Sequence, residues 1–241
     1  MFKKPKHNRI FQDLVAQIEA AILEGRLQPG DRLPPERDLQ EMFETSRGSL
    51  REALRVLEER GLIDIRPGAG GGSVVRTPGT RQVSQSLAFL IRHQKVSLDH
   101  LAEFREDIEG AVVALAAGRA GADDMKRLRA ILQEACSSLE DGLPQIDRFL
   151  QADRDLHLEL ARIAANPIYT SVLQSIHVNI HRYYEQFLPR EEHILRENYQ
   201  DLCDIVVAVE SRQPDRAREL AQNHVRRFNA HMTDLGCLSS R

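Results

Sequence analysis

Tryptophan is absent from the 241 residues, and aromatics make up only 5% of them. A chain so poor in large rings fills its core with aliphatic side chains, which suits packed helices better than a β-sandwich. Cysteine is scarce too. Cys136, Cys203 and Cys237 are too few and too scattered for a disulfide framework or a Cys-based zinc site, so a reducing, cytoplasmic setting is expected. No stretch approaches the roughly 18–20 uncharged apolar residues of a membrane span. The basic start MFKKPKHNRIF lacks the apolar centre of a secretory signal, so no membrane partner is expected. A strong charge of one sign is missing as well: the formal net charge is −3.

The distribution of that charge is more informative than its sum. Residues 1–76 hold 13 Lys+Arg against 12 Asp+Glu, while the remainder is net acidic. The N-terminal basic residues cluster as Lys3, Lys4, Lys6 and Arg9, then as Arg47, Arg51 and Arg55. Such clusters either bind phosphate or are ordinary solvated charge.

Apolar periodicity predicts a helix from about Ile10 to Glu24, with Ile10, Leu14, Val15, Ile18, Ala21 and Ile22 as its buried stripe. The tight loop LQPGD follows, then a short helix starting near Pro34 or Pro35. A third helix, SRGSLREALRVLEERGL, has Ser46 or Ser49 as its N-cap and Gly61 as its stop. Its buried face is Leu50, Ala53, Leu54 and Leu57; Arg47 and Arg51, four apart, share the opposite face. The runs LIDI and SVVR around RPGAGGG read as a hairpin. Three helices and a hairpin, with arginines opposite the core stripe of the third, describe a winged helix-turn-helix whose third helix reads DNA. The competing reading is an arbitrary small helical domain.

The run from Gly30 to Gly61, within PGDRLPPERDLQEMFETSRGSLREALRVLEERGLI, and the Gly-rich wing ending SVV resemble the GntR family of bacterial transcription regulators. The resemblance implies that Arg37, Ser46, Arg47, Gly48, Ser49 and Arg51 approach DNA, with Gly68 near the wing. Pro67 precedes that glycine where some members carry a basic or His residue, so this wing is expected only to track phosphate.

Residues 77–82, TPGTRQ, read as a linker, and 83–235 as a succession of helices over about 83–93, 98–120, 123–140, 144–165, 167–188, 191–212 and 214–234, with a tail at 236–241. The expected fold is thus mainly α: a winged helix-turn-helix with a small β-hairpin, then an all-helical bundle. Asp153 and His157 are four apart on one helix, a spacing that holds a divalent metal or makes a plain surface hydrogen bond. His177 and His181 form a second such pair, and Arg105 and Glu109 an acid–base pair of the same spacing.

EFREDIEGAVVALAAGRA (103–120), DRDLHLELARIAANP (153–167) and DIVVAVESRQPDRARELAQNH (204–224) resemble the FCD domain of FadR-type members of that family. The resemblance implies one divalent metal (Zn, Ni or Mn) held by an Asp and three His. Asp153, His157 and His224 match three of these, but Leu202 stands where the third ligand, a His, is usual. It also implies a small carboxylate effector, an organic or sugar acid, near these residues and clamped by Arg105. The expected partners are an operator in double-stranded DNA, the effector and a second copy of the chain. A metal-dependent hydrolase and an effector-independent architectural DNA binder are the alternatives. The first leaves a helical metal site tethered to a DNA reader without purpose, and the second leaves the large helical domain unexplained, so no enzyme activity is expected.

Overall fold

The structure, a computed structural model, describes residues 9–68, 71–76, 85–87, 89–90, 96–188 and 191–238, with 9, 181–183, 185–187 and 233–238 as backbone. They fall into two compact units, one within 1–82 and one within 83–241. Lys3, Lys4 and Lys6, the expected linker at 77–82 and most of the helix expected over 83–93 lie outside the described residues.

The first unit runs α1 (Arg9–Leu23), α2 (Glu36–Met42), α3 (Arg47–Glu59), β1 (Ile63–Arg66) and β2 (Gly72–Val75). Its core is Leu14, Val15 and Ile18 of α1, Leu39 of α2, the predicted face of α3, and Ile63 and Val75 of the hairpin. Ile10, expected in the buried stripe, is exposed; the stripe begins one turn later at Leu14. Each α3 leucine is almost fully buried, and such burial stabilises by about 1.5–3 kcal/mol per side chain. Of the two candidate caps, Ser46 is the one used: its hydroxyl accepts the Ser49 N–H at 3.2 Å, and Ser49 lies inside the helix. At the other end Gly61 takes φ +72°, so that Leu62 N–H can reach back to the Leu57 carbonyl at 2.9 Å.

β1 and β2 pair antiparallel, Ile63 opposite Val75 and Arg66 opposite Gly72. The segment read as a plain loop also joins this sheet. Gly30 N–H donates to the Val75 carbonyl, Val75 N–H to that of Asp31, and Leu33 N–H to that of Ser73, each at 2.9 Å. The wing is thereby tied to the entry of α2.

The second unit runs α4 (Leu98–Arg119), α5 (Ala122–Glu140), a 3-10 turn (Leu143–Gln145), α6 (Ile146–Ile163), α7 (Pro167–Phe187), α8 (Glu192–Glu210) and α9 (Pro214–Leu238). Pro144 lies in the 3-10 turn rather than opening α6, and α9 continues through the first half of the expected tail. The other boundaries follow their punctuation. Ser97 caps α4, and Asn166 caps α7 ahead of Pro167. No helix among the described residues is long and apolar enough to cross a membrane.

Helix α4 packs on α6 and most extensively on α9. That second contact is close because Gly110 has no side chain: a Cβ there would meet Gln222 Cγ at 3.0 Å and Arg218 Cγ at 3.2 Å. Phe149, Leu156 and Leu160 of α6 and Ile205 of α8 fill the core around α4.

Helix α5 starts on a side-chain cap. Asp124 accepts the Gly121 N–H at 2.8 Å and pairs with Arg162 and Arg127. The Gly121 hydrogen bond, then Arg162, hold its carboxyl below the usual range. A depressed carboxylate contributes stability above its unfolded pKa of about 3.9 and loses it as pH falls through the folded value. Asp124→Asn is therefore expected to lower stability at pH 7 by on the order of 1 kcal/mol, the worth of a cap. It should also flatten the loss between pH 5 and pH 3, both read from urea unfolding midpoints.

Candidate functional site

The arginines of α3 stand where the periodicity puts them. Arg47, Arg51 and Arg55 are exposed, opposite the buried leucines. Ser46 and Gly48 are exposed at the leading end of the helix, Ser49 is half-buried beside them, and Arg37 projects from α2, paired with Glu41 at 3.3 Å. Glu36, at the start of α2, ties the two helices together. Its Oε2 accepts from Arg51 Nε at 3.0 Å and lies 3.9 Å from Arg47 Nε. Gly68 is exposed after β1 with φ +103°, a backbone that glycine adopts freely.

The second unit buries a polar cluster at its centre. Arg105 and Glu109 of α4, Asp153 and His157 of α6, His177 of α7 and His224 of α9 are each at most 2% exposed. Helical spacing sets each pair on one face, and the packing of four helices brings the faces together. Arg105 Nε donates to Glu109 Oε1 at 2.6 Å, and Arg105 Nη1 lies 3.4 Å from the Tyr184 hydroxyl. The other Glu109 oxygen stands 2.6 Å from His157 Nδ1. His157 Nε2 then faces His224 Nε2 at 3.3 Å, and Asp153 Oδ1 lies 3.9 and 3.8 Å from these two nitrogens. His177 stacks on His157 with centroids 4.9 Å apart, its Nε2 3.6 Å from Glu109 Oε1 and neither ring nitrogen hydrogen-bonded among the described residues.

The electrostatics are dominated by Glu109. Burial works against its charge, yet Arg105 and His157 hold it well below the ordinary carboxylate range. Burial also disfavours the Arg105 cation, but Glu109, Tyr184 and Asp153 together outweigh it and raise its pKa. A similar balance raises His157: burial disfavours the imidazolium, and Glu109 with Asp153 outweighs it. His177 gains less from Glu109, and burial lowers it.

Two sets of three donors converge, Glu109 with His157 and His177, and Asp153 with His157 and His224. The second set fits a divalent cation better. Donors about 2.0–2.2 Å from one ion at tetrahedral angles stand about 3.3–3.6 Å apart, close to the 3.3–3.9 Å found here. With Nδ1 of His157 committed to Glu109, its Nε2 is the nitrogen left to ligate, the arrangement in which an outer carboxylate orients a ligating imidazole. Leu202 is fully buried and offers no donor atom.

Asp153, His157 and His224 come together as the helical spacing and the resemblance imply. Arg105 is also there, but its Nε is engaged by Glu109. The His181 side chain lies outside the described residues, and Tyr199 and Cys203 interact with each other rather than with the cluster. Three participants were missed. Glu36 contacts arginines 11 and 15 residues away, which no local pattern reveals. Asp201 stands 3.5 Å from His224 Nδ1 and binds the surface Arg227. Asn198 donates to Asp153 Oδ1 at 3.2 Å, and its place one turn before Leu202 was a usable signal.

Comparison with known proteins agrees with this geometry. Residues 11–72 match the family described as bacterial regulatory proteins, gntR family, and residues 100–227 match the FCD domain. An HTH-type transcriptional regulator designated RmpR, from Mycobacterium gastri, is 30% identical over 95% of this chain and 83% of its own. The HTH-type transcriptional repressor NanR of Klebsiella aerogenes is 27% identical over 97% of this chain and 90% of its own. Among solved structures, Streptococcus agalactiae GntR superposes with a TM-score of 0.71 over 91% of this chain and 99% of its own, at 21% identity, a likeness of fold. The chain belongs to the GntR family of bacterial regulatory proteins: a DNA-binding transcriptional regulator whose C-terminal, effector-binding unit is an FCD domain.

Proposed function

We propose that this regulator binds a palindromic operator as a homodimer in the cytoplasm and is controlled by a small carboxylate effector, an organic or sugar acid, in the helical unit. Residues 1–76 form the DNA-binding unit, 77–82 the linker and 83–235 the effector-binding and dimerising unit. The observation that carries the reading is the buried cluster. Three imidazoles, two carboxylates and a guanidinium sit inside an aliphatic helical core, and both ring nitrogens of His177 have no hydrogen-bond partner among the described residues, a deficit that a bound ligand would relieve.

Asp153, His157 and His224 hold one divalent cation, which when bound attracts the oxygens of the effector. Arg105 lies across Glu109 from His157, with Nε on Glu109 and Nη1 near the Tyr184 hydroxyl, and its Nη nitrogens turn to the effector carboxylate when the effector binds. Effector binding changes the populations of DNA-competent and DNA-incompetent arrangements of the dimer. On the DNA side, Arg37, Ser46, Arg47, Gly48, Ser49 and Arg51 contact the operator, and Gly68 lets the wing backbone approach phosphate.

Arg47→Ala and Arg51→Ala should each weaken operator binding by about 1–3 kcal/mol, the worth of a base-edge contact. Folding should be unaffected, since both side chains are exposed. Unchanged affinity of the double variant at fixed salt would reject α3 as the reading helix.

Arg105→Ala would leave Glu109 buried without its cation, at about 3–5 kcal/mol. Arg105→Lys is more informative, because it keeps the charge and removes the planar fork. It should retain operator binding and lose release by organic acids. Release at wild-type acid concentrations would confine Arg105 to its pairing with Glu109.

His224→Ala should lose cation binding, and Leu202→His should raise affinity for Zn2+ or Ni2+ by restoring the third imidazole. Calorimetric titration of wild type and both variants is the measurement. Absence of binding in all three would retire the cation and leave Arg105 to hold the effector.

A further inference from the structure

Helix α8 meets the cluster with Leu202 in the place where the family resemblance expects an imidazole. One helical turn earlier, on the same face, stands Asn198. It is 4% exposed, and its Nδ2 donates to Asp153 Oδ1, the oxygen that faces both His157 and His224. The pairing defines the amide's orientation: a carboxylate accepts only, so it takes the NH2 side and leaves the carbonyl side free. Asn198 Oδ1 is buried and has no hydrogen-bond partner among the described residues. An acceptor left unpaired at this depth forfeits its hydration and gains nothing in return.

We propose that Asn198 Oδ1 is the fourth donor of the cation site, taking over from the imidazole that Leu202 does not supply, and that it shifts the relative affinity of the site toward oxygen-preferring divalent cations such as Mn2+. The inference rests on the cation reading of Asp153, His157 and His224 given above. An amide oxygen and an imidazole nitrogen are both neutral, so the exchange leaves the charge of the site unchanged. What changes is the hardness of the donors: two nitrogens and two oxygens replace three nitrogens and one oxygen. Carbonyl and carboxylate oxygens suit Mn2+, whereas imidazole suits Zn2+ and Ni2+. The natural order of affinities still runs from Mn2+ up to Ni2+, so the effect of Asn198 is to narrow the gap between them.

The test is calorimetric titration of the full chain with MnCl2 and NiCl2, for wild type, Asn198→Ala, Asn198→Asp and His224→Ala. Asn198→Ala should weaken Mn2+ binding by at least about 10-fold, the cost of losing even an outer partner of a ligand. Its effect on Ni2+ should be smaller. Asn198→Asp, nearly isosteric and anionic, should tighten Mn2+ binding by a similar factor and carries the test if the alanine variant unfolds. Co2+ absorption adds a second readout, since loss of a donor changes the visible spectrum of the bound ion. If His224→Ala loses the cation while both Asn198 variants bind Mn2+ like wild type with unchanged Co2+ spectra, Asn198 is no donor and the inference falls alone. If His224→Ala binds like wild type, or wild type binds neither ion, the cation reading falls and takes the inference with it.

Discussion

Glu109 places a full negative charge at the centre of a helical core, 1% exposed, and the arrangement of the second unit follows from keeping it there. A lone buried carboxylate would be prohibitively costly. Two partners offset that cost from different helices: Arg105 from the same face of α4, and His157 from α6. Because one oxygen holds the guanidinium and the other faces an imidazole N–H, the carboxylate orients both. His157 is thereby turned so that its second nitrogen faces Asp153 and His224. The three converging donors Asp153, His157 and His224 are thus the far end of a chain of contacts that begins at an ion pair.

Close packing makes that chain possible. His224 reaches His157 only because α9 lies tight against α4, and it lies tight because Gly110 leaves room for the stems of Gln222 and Arg218. Small residues, Ala116 and Ala117 among them, continue the buried face of α4 toward its C-terminus. The same helix supplies the charge that anchors the cluster and the gap that admits its last imidazole.

The first unit uses the same economy on a smaller scale. Ser46 caps α3 and so determines where Arg47 and Arg51 emerge. Glu36 then holds Arg51 through Nε, which leaves the outer edge of the guanidinium available to a partner. The pairs are exposed and individually weak, so a phosphate or a base edge can compete for the same arginines. The wing is braced from behind by the segment at Gly30–Leu33, not by hairpin pairing alone.

Much of this was legible in one dimension. The leucine stripe of α3 with arginines behind it and the Asp153–His157 spacing are local facts, because a helix repeats every 3.6 residues and puts i and i+4 on one side. Those facts placed Asp153 beside His157 and the arginines of α3 opposite its core face, whereas His224 and the pocket role of Arg105 came only from the resemblance to the FCD domain. Tertiary structure alone decided which of several equally spaced pairs turn inward. Arg105–Glu109 and Arg196–Glu192 have the same spacing and opposite charges, yet the first is buried and the second is solvated. Nothing in either pair records what packs against it. Likewise Ile10 continues an apolar period but is left uncovered by the described residues, and Asn198 became part of the cluster because Asp153 lies opposite it on another helix. Periodicity specifies which face a residue occupies, whereas burial and pairing depend on what the other helices bring to that face.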